Sequence, residues 1–301
     1  MIWKEFAYFA PATLDEALDL LAEHGREARV LAGGTDLLLR LKAGQWQPRC
    51  VVNIKRIPGL DEISFDPAGG LRLGTLTTAA ELARSEIVRA HYAALAQGAG
   101  LMASVQIRNL ATVGGNLCNA APSADLAPPL IALGASALIV GPGGQRHMPL
   151  DEFFIGPGQT ALEPGELLTA VIAPPPAPGS AAVYLKNSPR QAMDIAVVGV
   201  AVAMTRLRSA APAGSPDPAK CGDARIVLGA VAPTPLRARQ AEALLQGQEI
   251  TPERIEEAAR AAAQEARPID DVRASAWYRQ RMVEVLTRRG LTQLAKGGAE
   301  Q

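Results

Sequence analysis

Ala32-Gly33-Gly34-Thr35-Asp36 follows the apolar run ending at Leu31, and Ala111-Thr112-Val113-Gly114-Gly115-Asn116 repeats that layout about eighty residues later. Each glycine pair comes after small apolar residues and leads into hydroxyl, carboxylate or amide side chains. A single turn of this kind is most often plain architecture. Two of them suggest a pair of backbone amide cradles closing on one diphosphate. Glycine suits the task because, lacking a Cβ, it lets the chain turn tightly and bring its N–H groups against phosphate oxygens. No Gly-Lys-Thr or Gly-Lys-Ser follows the first pair, so it is not a Walker loop. Its glycines are adjacent and the third is missing, so it is not the GxGxxG fingerprint either. The fold reading therefore depends on whether the two turns face each other.

The segments around the turns read as alternating helix and strand. Thr13-Leu14-Asp15-Glu16 is a capping box for a helix ending near His24-Gly25. Arg29–Ala32 reads as a strand, and Asp36–Lys42 as a helix stopped at Gly44. Val51–Ile54 and Leu71–Gly74 read as further strands; Thr78 caps a helix, and Ser85 opens another that runs to about Gly98. Ser123 or Asp125 is expected to cap a helix through Leu133, with Pro128 and Pro129 in its first turn, before a strand at Ser136–Val140. Pro174–Gly179 is the clearest linker. Beyond it Val183–Leu185, Ile195–Met204 and Arg225–Val231 read as strands, with Ser209–Asp223 as an exposed hairpin loop. Helices are expected at Leu236–Leu245, Pro252–Ala266 behind Thr251, and Ser275–Arg289, followed by a frayed tail.

Composition works mainly by exclusion. A chain of 301 residues accommodates two ordinary domains, each with its own core. Hydrophobic residues at 48% and charged residues at 20% give a folded soluble profile. Lys plus Arg equals Asp plus Glu at 30 each, leaving no global field to hold nucleic acid or an anionic membrane. With only 4% aromatics, a base-stacking platform is also disfavoured. The N-terminal residues carry no signal-peptide core and no apolar run approaches membrane-spanning length, so a cytoplasmic location without a membrane span is expected.

Cys50, Cys118 and Cys221 are far apart and form no CxxC pair, and His24, His91 and His147 are equally scattered. This chain alone therefore builds no four-cysteine cluster or zinc site, and a redox centre here would be an organic cofactor held non-covalently. Cys118, close after the second turn, reads as a buried small hydrophobe, with contact to a bound cofactor as the alternative. After the second turn, Asn119–Pro129 is a loop of small residues that lets a bulky planar ligand approach the backbone. Asp125 within it is either an acceptor for ribityl or ribose hydroxyls, a helix cap, or both.

Leu31–Leu37, Ile107–Ala120, Ser123–Pro128, Gly165–Leu168 and Tyr184–Ala196, in this order, resemble the flavoprotein (medium) subunit of molybdenum hydroxylases of the xanthine dehydrogenase and carbon monoxide dehydrogenase type. The likeness covers nearly the whole chain. It implies an α+β fold: a two-part FAD-binding domain of the vanillyl-alcohol-oxidase-like type at 1–176. A smaller domain of antiparallel sheet and helices follows at 180–291, then a tail at 292–301. By the same resemblance Leu31, Ala32, Gly33, Gly34, Thr35, Asp36, Leu37 and Leu38 would line the adenine and diphosphate side of FAD. Ala111, Thr112, Gly114, Gly115 and Asn116 would supply the other half of the cradle, and Asp125 would bind the sugar chain. Met102 stands where some relatives carry an aromatic. Leu162 would approach the adenine, and Lys186 the isoalloxazine, where a cation would stabilise a reduced anionic ring. Otherwise Lys186 reads as a surface strand residue.

The resemblance further implies one subunit of a split enzyme. A large molybdopterin subunit would hydroxylate the substrate, a small [2Fe–2S] subunit would pass electrons to FAD, and NAD+, a quinone or oxygen would receive them. No residue here would be the base for hydroxylation. The inserted cysteine-rich loop of the 4-hydroxybenzoyl-CoA reductase type has no counterpart. A stand-alone FAD oxidoreductase with its own substrate, and a non-enzymatic nucleotide-binding module, are the alternative readings.

Overall fold

The computed structural model describes residues 5–190, 192–207 and 220–296. The first unit is a small parallel sheet of β1 (Ala7–Phe9), β2 (Ala28–Leu31) and β3 (Cys50–Asn53), with β3 in the middle. Helix α1 (Leu14–His24) links β1 to β2 and starts where expected. The Glu16 N–H donates to Thr13 Oγ1 (3.2 Å), and Glu16 Oε2 accepts from the Ala12 and Thr13 N–H groups. Such a cap contributes about 1 kcal/mol. Ala17 and Leu21 of α1 bury against Cys50, Val52 and Ile54. Beyond β2 the chain turns at Gly33-Gly34 into α2 (Leu37–Lys42).

The second unit is an antiparallel sheet. Its strands β4 (Ile63–Asp66) and β5 (Gly70–Gly74) precede six short helices. These are α3 (Ala79–Arg84), α4 (Glu86–His91), α5 (Ala93–Leu101), α6 (Val105–Arg108), α7 (Val113–Asn119) and α8 (Ala127–Ala132). Then come β6 (Ser136–Gly141), β7 (Gly144–Pro149), α9 (Leu150–Phe153) and the hairpin β8 (Phe154–Gly156) and β9 (Gln159–Thr160). Strand β10 (Leu167–Ala173) returns to the centre, giving the order β4-β5-β10-β6-β7. Leu82, Leu95, Leu117, Leu126 and Leu130 from the helices pack with Leu71, Leu73 and Ile139 from the strands.

The third unit is an antiparallel sheet of β11 (Ser180–Asn187), β12 (Val198–Leu207), β13 (Lys220–Gly229) and β14 (Leu236–Arg237), in that order. Helices α10 (Arg239–Leu245), α11 (Pro252–Glu265) and α12 (Ala276–Lys296) share a core with Val183, Val200, Val202, Ile226 and Leu228 of this sheet. Tyr184, Ala201 and Val227 instead belong to the core of the second unit, against α5 and α8. The expectation of separate cores is thus corrected: alternate residues of β11–β13 point to opposite sides, and one side completes the middle core. No described helix is long and apolar enough to cross a membrane.

Several expected boundaries differ for identifiable reasons. The single helix expected from Ser85 to Gly98 breaks at Tyr92 (φ −135°), whose buried ring leaves the helix line and whose hydroxyl donates to the Pro174 carbonyl (3.0 Å). The helix expected to stop at Arg289 runs on to Lys296, because Gly290 lets it pass close to Val202 while Leu291 and Leu294 bury beyond it. Residues 292–296, expected as tail, are therefore helical, and 297–301 lie outside the described residues. Of the expected loop Ser209–Asp223, residues 209–219 lie outside the described residues and 220–223 belong to β13. Helix α8 begins behind Leu126 with no side-chain cap, so neither Ser123 nor Asp125 caps it.

Candidate functional site

The two glycine turns meet. Gly33 lies so close to the lead-in of the second turn that a Cβ there would overlap the Leu110 carbonyl oxygen and crowd Ala111 Cα at 3.2 Å. Gly34 supplies the left-handed conformation (φ +79°) that sends the chain into α2. Among the described residues, no protein acceptor takes the N–H groups of Gly33, Gly34, Thr35 or Asp36. Four successive backbone donors are thus left for a ligand, the chemistry that suits an anion.

The second turn is built differently from the expectation. Gly114 and Gly115 lie inside α7, whose N-cap is Thr112, and Thr112 Oγ1 accepts from the Gly115 N–H (3.0 Å). The Val113 N–H donates to the Thr77 carbonyl, Gly114 to Thr75, and Asn116 to Thr112. All four amides from Val113 to Asn116 are therefore spent within the protein. The expected pair of amide cradles is thus reduced to one run of unspent amides, at Gly33–Asp36, next to the lead-in of the second turn. Gly114 is glycine because a Cβ would overlap Thr75 Oγ1. Asn116 presents a buried Oδ1 with no partner among the described residues, while its Nδ2 lies 3.6 Å from Met102 Sδ. Buried polar atoms are rarely left unpaired, so this one marks a place for a ligand or water.

Asp125 and Lys186 also come together. Lys186 Nζ donates to Asp125 Oδ2 (2.8 Å), and Tyr184 Oη donates to Asp125 Oδ1 (2.8 Å). The side chains of Lys186 and Asp125 are only 4% and 7% exposed, which overturns the surface reading of Lys186. The remaining two hydrogens of the ammonium go to the Leu101 carbonyl (3.2 Å) and the Asp194 carbonyl (2.9 Å). One cation thus ties the end of α5, the Asp125 loop and the segment after β11 together. Burial pushes the Asp125 carboxyl above its ordinary range, opposed by the charge and hydrogen bond of Lys186 and by the Tyr184 hydroxyl. Burial and the neighbouring Asp125 push the Tyr184 hydroxyl well up. A cavity of about 300 Å³ opens beside Lys186, lined by Leu101, Asn187, Arg190 and Asp194. A larger one of about 610 Å³ lies at the other end of β11, around Tyr92, Pro174 and Arg206, and touches neither turn.

The other expected residues divide. Leu31 and Ala32 are half-buried and Leu38 is exposed, but Leu37 turns into the interior. Ala111 and Thr112 are buried beneath the second turn, and Met102 is buried beside it. Leu162 packs half-buried against the middle core beyond β9. Cys118 keeps an exposed surface, contrary to the buried reading, yet the protein around its thiol desolvates it enough to push it up to about 12. Tyr184 was not among the expected site residues. Its signal was its place two residues before Lys186 in a strand, which puts both side chains on one face.

A family model for the FAD binding domain in molybdopterin dehydrogenase matches residues 4–176, and one for the CO dehydrogenase flavoprotein C-terminal domain matches 183–294. The chain is 35% identical over 298 residues to a xanthine dehydrogenase FAD-binding subunit of Escherichia coli O157:H7, covering 98% of each chain. It is 34% identical over 291 residues to the carbon monoxide dehydrogenase medium chain of Hydrogenophaga pseudoflava, covering 97% of each. A solved structure of carbon monoxide dehydrogenase from Hydrogenophaga pseudoflava, lacking the Mo-pyranopterin moiety of its cofactor, superposes with a TM-score of 0.89 at 36% identity, over 97% of this chain and 98% of that one.

Proposed function

The chain belongs to the family of FAD-binding (medium) subunits of molybdenum hydroxylases, and from that premise we propose how its residues hold FAD and what they connect. The observation carrying the reading is the meeting of the two turns, with four unspent backbone donors on one side and an unpartnered Asn116 Oδ1 on the other. Both features fit FAD. The donors of Gly33 to Asp36 suit a diphosphate, and Asn116 Oδ1 suits a ribityl or ribose hydroxyl. Leu31, Ala32, Leu38 and Leu162 line the adenine side. Leu37, Ala111, Thr112, Gly114, Gly115 and Met102 shape the cleft from beneath.

Asp125 keeps a free lone pair on each carboxylate oxygen after its bonds to Tyr184 and Lys186, so it still accepts from sugar hydroxyls. Lys186 has no hydrogen left for the ring and acts by fixing Asp125 and the Asp194 segment. Its charge is matched by Asp125, which weakens the direct electrostatic role first assigned to it.

Bound FAD supplies a junction between one-electron and two-electron carriers. We assign the chain as the electron outlet of a multi-subunit oxidoreductase. A large molybdopterin subunit oxidises the substrate, a small [2Fe–2S] subunit delivers the electrons, and NAD+, a quinone or oxygen receives them. Residues 1–176 form the cofactor part and the C-terminal flavoprotein part starts at 180. The test is purification of the chain, removal of flavin and titration with FAD. Uptake of one FAD per chain is expected, and no uptake overturns the reading.

A further inference from the structure

We propose that Arg40 and Asn119 are positioning residues that latch the two turns together and set the width of the diphosphate cradle. Arg40 lies in the last turn of α2, the helix entered from the first glycine pair. Its Nη2 donates to Asn119 Oδ1 at 2.6 Å, and Asn119 is the last residue of α7. The amide of Asn119 then donates through Nδ2 to Asp36 Oδ1 at 3.1 Å, back in the first turn. The two bonds span 79 and 83 residues of sequence, so they join elements that the local chain does not hold together.

Arg40 is itself held in place. Its guanidinium carbon lies 4.4 Å from the Trp46 ring centroid, and that of Arg29 lies 5.0 Å from the same ring. A planar guanidinium stacked on an aromatic face gives up less freedom when it makes a directional bond. Elsewhere the turns meet where Gly33 lies against the Leu110 carbonyl, a steric contact that limits approach but does not stop the turns from parting. The Arg40–Asn119–Asp36 chain supplies the directional restraint. It also fixes the Asp36 carboxylate, the nearest negative charge in the first turn, so that it does not swing toward an anionic ligand. Neither Arg40 nor Asn119 needs to touch the ligand; both act through the spacing of the turns.

The proposal rests on the FAD reading above, and its test separates the two. Arg40→Met, Asn119→Ala, Arg40→Lys and the double variant Arg40→Met/Asn119→Ala are compared with the unaltered chain. The measurements are FAD dissociation constant, the 31P resonances of bound FAD, visible absorption of the ring and melting of the FAD-free protein. Arg40→Met and Asn119→Ala should each weaken FAD binding about tenfold, the loss expected for one charge-assisted hydrogen bond. The double variant should lose no more than either single one, because both break the same chain of bonds. The diphosphate resonances should shift while ring absorption stays as in the unaltered chain, FAD-free melting should fall by no more than the loss of one such hydrogen bond accounts for, and Arg40→Lys should recover part of the affinity. If the unaltered chain takes up FAD and the variants match it in affinity and 31P shifts, the latch is overturned alone. The same holds if lost affinity merely tracks a drop in FAD-free melting. If the unaltered chain takes up no FAD, the FAD reading falls and the latch with it.

Discussion

Removing the Lys186 cation should destabilise the protein strongly at alkaline pH and much less in mild acid. Its ammonium and the Asp125 carboxylate sit 2.8 Å apart with side chains 4% and 7% exposed. At an effective dielectric of about 20, their attraction is about 6 kcal/mol. Stripping water from each ion costs several kcal/mol, so the intact pair contributes little net stability. Losing one partner is different, since the other then stays buried as an unmatched charge, at a cost of about 3–5 kcal/mol. For Lys186→Met that corresponds to a melting temperature lower by roughly 10 °C. The stranded carboxyl, already pushed up by burial, then loses the two influences of Lys186 that lowered it. As pH falls through that raised value, the folded state takes up a proton that the unfolded state does not yet hold, and the penalty is relieved. The Lys186→Met deficit should therefore shrink between pH 8 and pH 5. Asp125→Asn leaves no acid to neutralise, so its deficit should persist across that range. The double variant Asp125→Asn/Lys186→Met should come back to within about 2 kcal/mol of the parent, because no buried charge remains. Thermal melts of all four proteins at the two pH values make the comparison. Equal pH behaviour of the two single variants, or a double variant as weak as their sum, would refute the account of a desolvated pair.

Two further outcomes follow from single positions. Gly33→Ala places a Cβ against the Leu110 carbonyl; it should force the turns apart, cost about 1–3 kcal/mol and weaken FAD uptake, read by titration and by melting. The Arg273 N–H above all, then the Arg279 guanidinium and the Ala274 N–H, lower the Asp271 carboxyl to about 2. Because the folded value lies below the unfolded one, that stabilisation is complete above about pH 4 and disappears as pH drops toward about 2. The stability advantage of the parent over Asp271→Asn should accordingly narrow across this acid window in an acid-unfolding series; an advantage independent of pH would count against it.

The features legible in the sequence are local ones. Thr13-x-x-Glu16 and Thr78-x-x-Glu81 announce helix starts through reciprocal bonds within four residues, and both form as read. Gly33 and Gly34 gave the position of the first turn, and the order of motifs gave the family. Long-range facts were not legible. Nothing near Gly114 says that its N–H is taken by Thr75, 39 residues earlier in the chain, so the sequence alone makes the second turn look like an amide cradle. Asp125 looked like a cap or a sugar ligand because its partners, Tyr184 and Lys186, arrive from another sheet. Gly290 resembled a helix end, and only its neighbour Val202 explains why the helix continues through it.

Tyr184, Ala201 and Val227 fill the hydrophobic interior that surrounds Leu95, Leu126 and Leu130. During synthesis, the segment carrying both glycine turns leaves the ribosome well before those three side chains exist. Until Val227 has emerged, that interior has an open side: α5 and α8 can pack on the second sheet but lack the third sheet's face that covers them. A chain truncated shortly after the proline linker should therefore leave this interior uncovered on one side and meet chaperones and proteases more readily than the full chain.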